Sequence, residues 1–280
     1  MNETLIREVI EDVLGRLGGG TPVVTQSPLA KPAGDDASCS CNAKGAQSGR
    51  EFGVFQTADE ACDAAAGAFR QLREQGVEAR RRVIEIVKGL CEDNAEEWGR
   101  IELEETKIGR LDHKIEKLQI IRGVPGVEWL HPEGRSGDHG ITLEEFTPFG
   151  VVGAVTPSTH SIPTLSGNIV NIVAAGNAVV FNAHPAASRC AAMAVRKFNE
   201  AIHRATGIGN IACIIEQPTL ESFKAMCANE NVRLLCVTGG PGVVAAAMQT
   251  GKRAICAGPG NPPVLVDDTA DIDRAARCVV

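Results

Sequence analysis

Two features of this 280-residue chain place residue types where chemistry could occur. In "CVTGGPGVVAAAM", residues 236–248, an apolar run stops in glycines and restarts at once as a helical pattern with Pro241 at its first position. Proline suits that position because its missing N–H is one of the helix's unpaired donors in any case. Free amides and the positive end of a helix dipole then face whatever lies beyond Thr238, Gly239 and Gly240, and such a place suits a phosphate. The pattern is neither GxGxxG nor a Walker sequence, so alone it reads equally as a tight turn. The second feature is ten cysteines. Only Cys39 and Cys41 form a close pair. The others lie singly in apolar or helical segments without a CxxC or a paired histidine, as small buried hydrophobes in a reducing compartment do. Neither a disulfide framework nor a metal site is expected.

Composition narrows the partners. There are 35 acidic and 28 basic residues, a net charge of -7 and no long basic run, so no nucleic-acid surface is expected. Aromatic residues make up 4% and tyrosine is absent, which suits close helix-on-sheet packing better than base stacking. No apolar stretch is long enough to span a bilayer, so no membrane partner is expected.

The elements that must position the glycine turn follow from periodicity. Thr57 and Glu60 read as a capping box for a helix over 58–75, with further helices over 77–98 and 101–121. From Ile141 onward short apolar runs alternate with helical segments: "ITLEEF", "GVVGAVT", "AVVF", "IACII", "RLLCVT", "RAIC" and "PVLV". Runs this apolar between helices predict parallel strands covered on both faces. The expected fold class is therefore α/β, a Rossmann-type open parallel sheet with helices on both faces and ligands at the carboxyl ends of its strands.

The glycine turn also has a context. The stretches "TPFGVVGAVTPST", "AAGNAVVF" with the "HP" after it, "TGG" at a strand end, and "GPGNPPVLVD" occur in an order that resembles the aldehyde dehydrogenase superfamily, specifically its CoA-acylating branch. The likeness covers about residues 147–273, and "EETKIGR" in the helical region is compatible with it. It implies NAD as cofactor and coenzyme A as co-substrate. Carried over position by position, it implies that Thr156, Pro157, Ser158 and Thr159 form the turn beside the nicotinamide. Asn182, His184 and Pro185 would lie along the adenosine, with Pro218 and Thr219 near the adenine. Thr238, Gly239, Gly240 and Val243 would close over the pyrophosphate, with Cys256 and Gly258 in the neighbouring motif.

Two departures from the family pattern refine the expectation. Hydrolytic members carry a glutamate, the base that activates water, where this chain has Cys256 in "AICAGPGN". Without that carboxylate an acyl-enzyme thioester waits for a thiol, which supports the acylating branch. The family's nucleophilic cysteine belongs on a later loop, so the catalytic domain is expected beyond Val280, and Cys278, in a helical pattern, is not that nucleophile. Thr159 stands where the family has its oxyanion asparagine, with His160 beside it. His160 either faces the aldehyde or caps the following helix. The implied reaction is oxidation of a short aldehyde, propanal or acetaldehyde, to acyl-CoA. The alternatives are a nucleotide-binding module without catalysis and a related reductase acting on an acyl phosphate.

The first residues have another character. Leu5, Ile6, Val9, Ile10, Val13, Leu14 and Leu17 recur at helical spacing, which predicts a short amphipathic helix over 1–17. Residues 18–50, rich in Gly, Pro, Ser and Ala, read as a flexible linker ahead of a domain over 51–280. A tethered helix in front of a domain with this resemblance resembles the encapsulation peptides of bacterial microcompartment aldehyde dehydrogenases. The resemblance implies a shell or cargo protein as partner and a microcompartment lumen in the bacterial cytoplasm as location. It also implies a homo-oligomer, with a strand at 140–147 as the candidate bridge between subunits. No Arg or Lys stands beside Asn182, which favours NAD over NADP.

Overall fold

A run such as "AVVF" can hide both of its alternating faces only between two layers, and the computed structural model, which describes residues 52–258, 260 and 263–279, builds it into such a sheet. The helix expected over 1–17 and the linker over 18–50 lie outside the described residues. In chain order the elements are β1 (Val54–Phe55), α1 (Ala58–Asp93), α2 (Ala95–Thr106), α3 (Leu111–Gln119), β2 (Glu133–Gly137), β3 (Gly140–Glu144), β4 (Val151–Thr156), α4 (Ser161–Ala174), β5 (Ala178–Ala183) and α5 (Ser188–Thr206). There follow β6 (Ala212–Ile215), α6 (Leu220–Ala228), β7 (Val232–Thr238), α7 (Pro241–Met248), β8 (Ala254–Ala257) and α8 (Ile272–Val279).

Six strands form one sheet in the order β1-β6-β5-β4-β7-β8, every pairing parallel. The chain lays down β4, β5 and β6 side by side, then returns to the other flank of β4 with β7 and β8. The carboxyl ends of β4 and β7 are therefore neighbours at the point where the strand order reverses, the place where open α/β sheets bind ligands. Every residue of β4, β5 and β6 is buried, so both faces of the sheet's centre are covered. Helices α1, α4 and α5 share this core through Leu72, Val83, Leu165, Ile169, Val195 and Phe198, all fully buried. Among the described residues no helix is long and apolar enough to cross a membrane.

Several boundaries differ from the sequence expectation. Strand β1 was not foreseen; two residues against β6 are too few to show a period. The first helix starts where expected, with Thr57 Oγ1 accepting from the Glu60 amide at 3.3 Å, and its break falls at Gly76, whose φ of 76° leaves the helical region. The helices expected over 77–98 and 101–121 are instead cut at Asn94 and Lys107. Asn94 Nδ2 donates to the Leu90 carbonyl at 2.8 Å and ends α1, while Lys107 in the left-handed region ends α2. "ITLEEF" pairs with residues 133–137 in an antiparallel ribbon, β2–β3, apart from the main sheet. "PVLV" forms no strand: Val264, Leu265 and Val266 are exposed and have no strand alongside them. Apolar character makes a strand only where an edge receives it.

The eight described cysteines are free thiols. Five are buried, and burial pushes Cys62 and Cys91 up to about 12 and Cys227 to about 11, so these stay protonated at neutral pH. Cys236 and Cys256 are half-buried and Cys278 is exposed, so the buried-hydrophobe reading does not extend to them.

Candidate functional site

A cleft of about 670 Å³ opens over the carboxyl ends of β4, β5 and β7. Its floor at β4 is the Thr156–His160 turn, and its far wall is Thr238, Gly239, Gly240 and Val243 at the start of α7. Asn182 near the end of β5 and His184 and Pro185 just after it line the cleft, as do Pro218 and Thr219 before α6. Gly258 contributes from the segment after β8. The fold thus brings every site residue expected from sequence to one cleft except Cys256, which sits half-buried on β8 and is not among the lining residues.

The glycines of the far wall are not required by the backbone. Among the described residues, Gly239, Gly240 and Gly258 are absent from the positions with positive φ. A Cβ built at Gly240 or Gly258 meets nothing within 4 Å, and one at Gly239 makes only ordinary contact with Val243. What the missing side chains do is keep this wall bare, so that a ligand can approach the main chain. At the head of α7 the N-cap Gly240 offers no side-chain cap and Pro241 has no N–H, leaving the helix's first turn uncapped toward the cleft. On the opposite wall, the Thr156 hydroxyl is buried, with the residue 1% exposed, and has no partner in the protein. A buried hydroxyl without a partner is costly.

The Thr156–His160 turn is held from below by residues that sequence reasoning missed. Glu102 of α2 is fully buried, and its carboxylate accepts from the Ser161 amide at 3.0 Å and the Ile162 amide at 3.1 Å. It therefore caps α4 from another helix, placing a negative charge on the helix's positive end. Lys114 of α3, 3% exposed, donates through Nζ to Glu102 Oε1 at 2.7 Å and to the Thr159 carbonyl at 3.2 Å. Three residues along α2, Glu105 does the same for α5, accepting from the amides of Arg189 at 2.9 Å and Cys190 at 2.7 Å. One signal was present in the sequence: Glu102 lies on the face of Trp98 and Thr106, so a charge sits in a buried helical stripe. Its partner, twelve residues away beyond a turn, was not marked.

Of the two expected roles of His160, capping α4 is not the one its side chain fills. It stands at the N-cap of α4 but makes no side-chain cap, because Glu102 already holds those amides. Its Nδ1 lies 2.8 Å from Thr159 Oγ1, and the ring lines the cleft. Partial burial, with Lys117 and Lys114 adding to it against the opposing Glu102 carboxylate, holds the imidazole below its ordinary value, so it is neutral at pH 7.

The side of the cleft formed by the end of β5 and the start of α6 is more locally built. Thr219 and Ser222 form a reciprocal capping box at α6, at 3.1 and 2.8 Å. The Ser222 hydroxyl also donates to Asn182 Oδ1 at 2.6 Å, so Asn182 fixes the Thr219 turn as well as lining the cleft. His184 Nδ1 accepts from the Ala186 amide at 3.1 Å, which leaves Nε2 as the donor on a neutral ring.

A cleft of this kind at the switch point defines an open α/β domain of the ligand-binding, doubly wound type. The chain belongs to the aldehyde dehydrogenase family, whose model matches residues 52–280. It is 42% identical over 232 residues to the acetylating acetaldehyde dehydrogenase EutE of Salmonella typhimurium, covering 82% of this chain and 49% of that one. A propionaldehyde dehydrogenase from the Clostridium phytofermentans fucose utilisation bacterial microcompartment superposes with a TM-score of 0.77 at 44% identity, over 81% of this chain and 52% of the other. The Rhodopseudomonas palustris propionaldehyde dehydrogenase with bound propionyl-CoA gives 0.75 and 42%, over 80% and 50%. The chain spans about half the length of these relatives.

Proposed function

We propose that this chain is the nucleotide-binding part of a CoA-acylating aldehyde dehydrogenase that oxidises propanal or acetaldehyde to the acyl-CoA with NAD. The observation that carries the proposal is the cleft itself, at the carboxyl ends of β4, β5 and β7, with glycines that the backbone does not need along one wall. The residues present fit a dinucleotide. The uncapped start of α7 and the Gly239–Gly240 main chain suit the diphosphate, Thr156 to Thr159 suit the nicotinamide end, and Asn182, His184, Pro185, Pro218 and Thr219 suit the adenosine. No Arg or Lys lines the cleft among the described residues, which favours NAD over NADP. When bound, NAD supplies the hydride acceptor.

The chain's own contribution is orientation and polarity. The Thr159 hydroxyl and the His160 ring stand on the oxyanion side of the nicotinamide turn, where a donor stabilises negative charge as it develops. Cys256 in place of a carboxylate offers water no general base, so the acyl group passes to coenzyme A. No described cysteine lines the cleft. The apolar pattern of residues 1–17 supports reading them as a docking segment for a shell or cargo protein inside a bacterial microcompartment, with residues 18–50 as the proposed tether and 51–280 as the proposed nucleotide domain. The exposed Ile141, Leu143 and Phe146 on and beside the β2–β3 ribbon support a strand at 140–147 that bridges subunits of a homo-oligomer.

The deciding experiment measures NADH formation from propanal by the full gene product with and without CoA. Turnover that depends on CoA is expected. Turnover without CoA would mean that water reaches the acyl-enzyme, and would overturn the acylating reading. Deleting residues 1–20 is expected to leave the protein outside purified shells.

A further inference from the structure

Among the described residues the buried Glu102–Lys114 pair has no counterpart on the opposite wall of the cleft, and its hydrogen bonds go to one place. Lys114 Nζ holds the Thr159 carbonyl, and the two carboxylate oxygens of Glu102 hold the next two amides in the chain, at Ser161 and Ile162. His160, between them, is thus fixed on both sides of its backbone by side chains from α2 and α3. Both charges are nearly out of water, so each depends on the other and on these main-chain groups for compensation. Such a pair is weak evidence for stability, since an apolar pair of similar volume would often serve as well. Its geometry is specific: three contacts on a four-residue backbone stretch, where a local cap would have made one.

We propose that Glu102 and Lys114 are positioning residues for the Thr159–His160 segment, setting where the Thr159 hydroxyl and the His160 imidazole stand relative to a nucleotide in the cleft. Neither touches the cleft. Both act through the main chain of the turn, and the inference rests on the nucleotide reading above. It distinguishes two halves of one ligand. The nicotinamide half meets the turn held by the pair, while the adenosine half meets the turn before α6, held by Asn182, Thr219 and Ser222, and the turn after β5, which the pair does not touch.

The test compares AMP and NAD binding to the 280-residue chain by calorimetry. Wild-type chain that binds neither would sink the nucleotide reading itself. If the wild type binds both, Lys114→Met is expected to weaken NAD about tenfold while leaving AMP within about twofold, and Lys114→Arg, which keeps a buried donor, is expected to restore most of the NAD affinity. Equal weakening of AMP and NAD would mean a merely structural role, and unchanged NAD affinity in a folded Lys114→Met chain would mean no role; either overturns the proposal. Should Lys114→Met fail to fold, the charge-neutral pair Glu102→Gln with Lys114→Met is read instead. It removes both buried charges at nearly constant volume, so the same selective loss for NAD supports the proposal and an unselective or absent loss overturns it.

Discussion

At the β4 end of the cleft the main chain is gripped by buried charge, whereas at the β7 end it lies bare. Helix α4 begins on a carboxylate supplied by α2, its residues pack into the core on several sides, and the strand before it is buried throughout. Helix α7 has an apolar sequence with no polar face, yet only Ala247 of its eight residues is buried, and β8 beside it is half-exposed. The same local pattern, strand then turn then helix, thus serves opposite purposes. One turn presents side chains at fixed positions, as the Thr159 hydroxyl and the His160 ring require. The other presents main chain at Gly239 and Gly240, as the proposed phosphate site requires. Precision needs anchoring from outside the turn; access needs only that nothing be there.

Breaking the anchored side should cost stability, and breaking the bare side should cost binding. The largest effect is expected from Glu102→Ala. It strands the Lys114 ammonium in the interior and frees two helix amides, for a loss of about 3–5 kcal/mol in urea unfolding; a loss below about 1 kcal/mol would mean that the pair is dispensable. Glu105→Ala removes the corresponding carboxylate from α5 without leaving a buried ammonium, and about 1–2 kcal/mol is expected. Gly240→Val reverses the balance. A Cβ at Gly240 meets no protein atom, so stability should hold within about 1 kcal/mol. NAD affinity should fall about tenfold, equivalent to about 1.4 kcal/mol, as branched carbon enters the space proposed for the diphosphate.

A smaller difference should separate wild type from His160→Gln as pH falls. The folded-state imidazole is held below its ordinary value, chiefly by burial, so the folded chain binds this proton less readily than the unfolded chain. The corresponding stability is therefore complete above about pH 6.5, the unperturbed value, and is lost as pH falls toward the folded value. Thermal unfolding from pH 7.5 to 5 should show the wild type losing more stability than His160→Gln. Parallel losses would show that His160 is not desolvated by the turn.

The bare side of the cleft was the more legible in sequence. "TGGPG" after an apolar run identifies strand, turn and helix by residue type alone, because glycine and proline act where they stand. The break at Gly76 was legible for the same reason. The anchored side was only half legible. "TPSTH" marked the turn, but the residue that caps the next helix lies 59 positions upstream of Ser161, and the lysine that pairs with it sits on a different helix. Helices drawn straight through Asn94 and Lys107 hid that pair, since only the reversal between α2 and α3 brings Lys114 back to Glu102. The "PVLV" run erred the other way, with strand-like residues that find no edge.

By itself the sequence determined the α/β class, the parallel order of apolar runs and helices, the family, and which loops meet at the carboxyl ends of the strands. Those follow from periodicity, from glycine and proline, and from motif order, all of which are local or linear along the chain. Only the tertiary structure decided that His160 faces the cleft instead of capping α4, that Thr156 is left with an unpaired hydroxyl, and that a buried ion pair grips the turn between them. Each of these depends on which distant groups share a desolvated space, where a charge or a hydroxyl must find a partner or go without, and no spacing in the sequence specifies that choice.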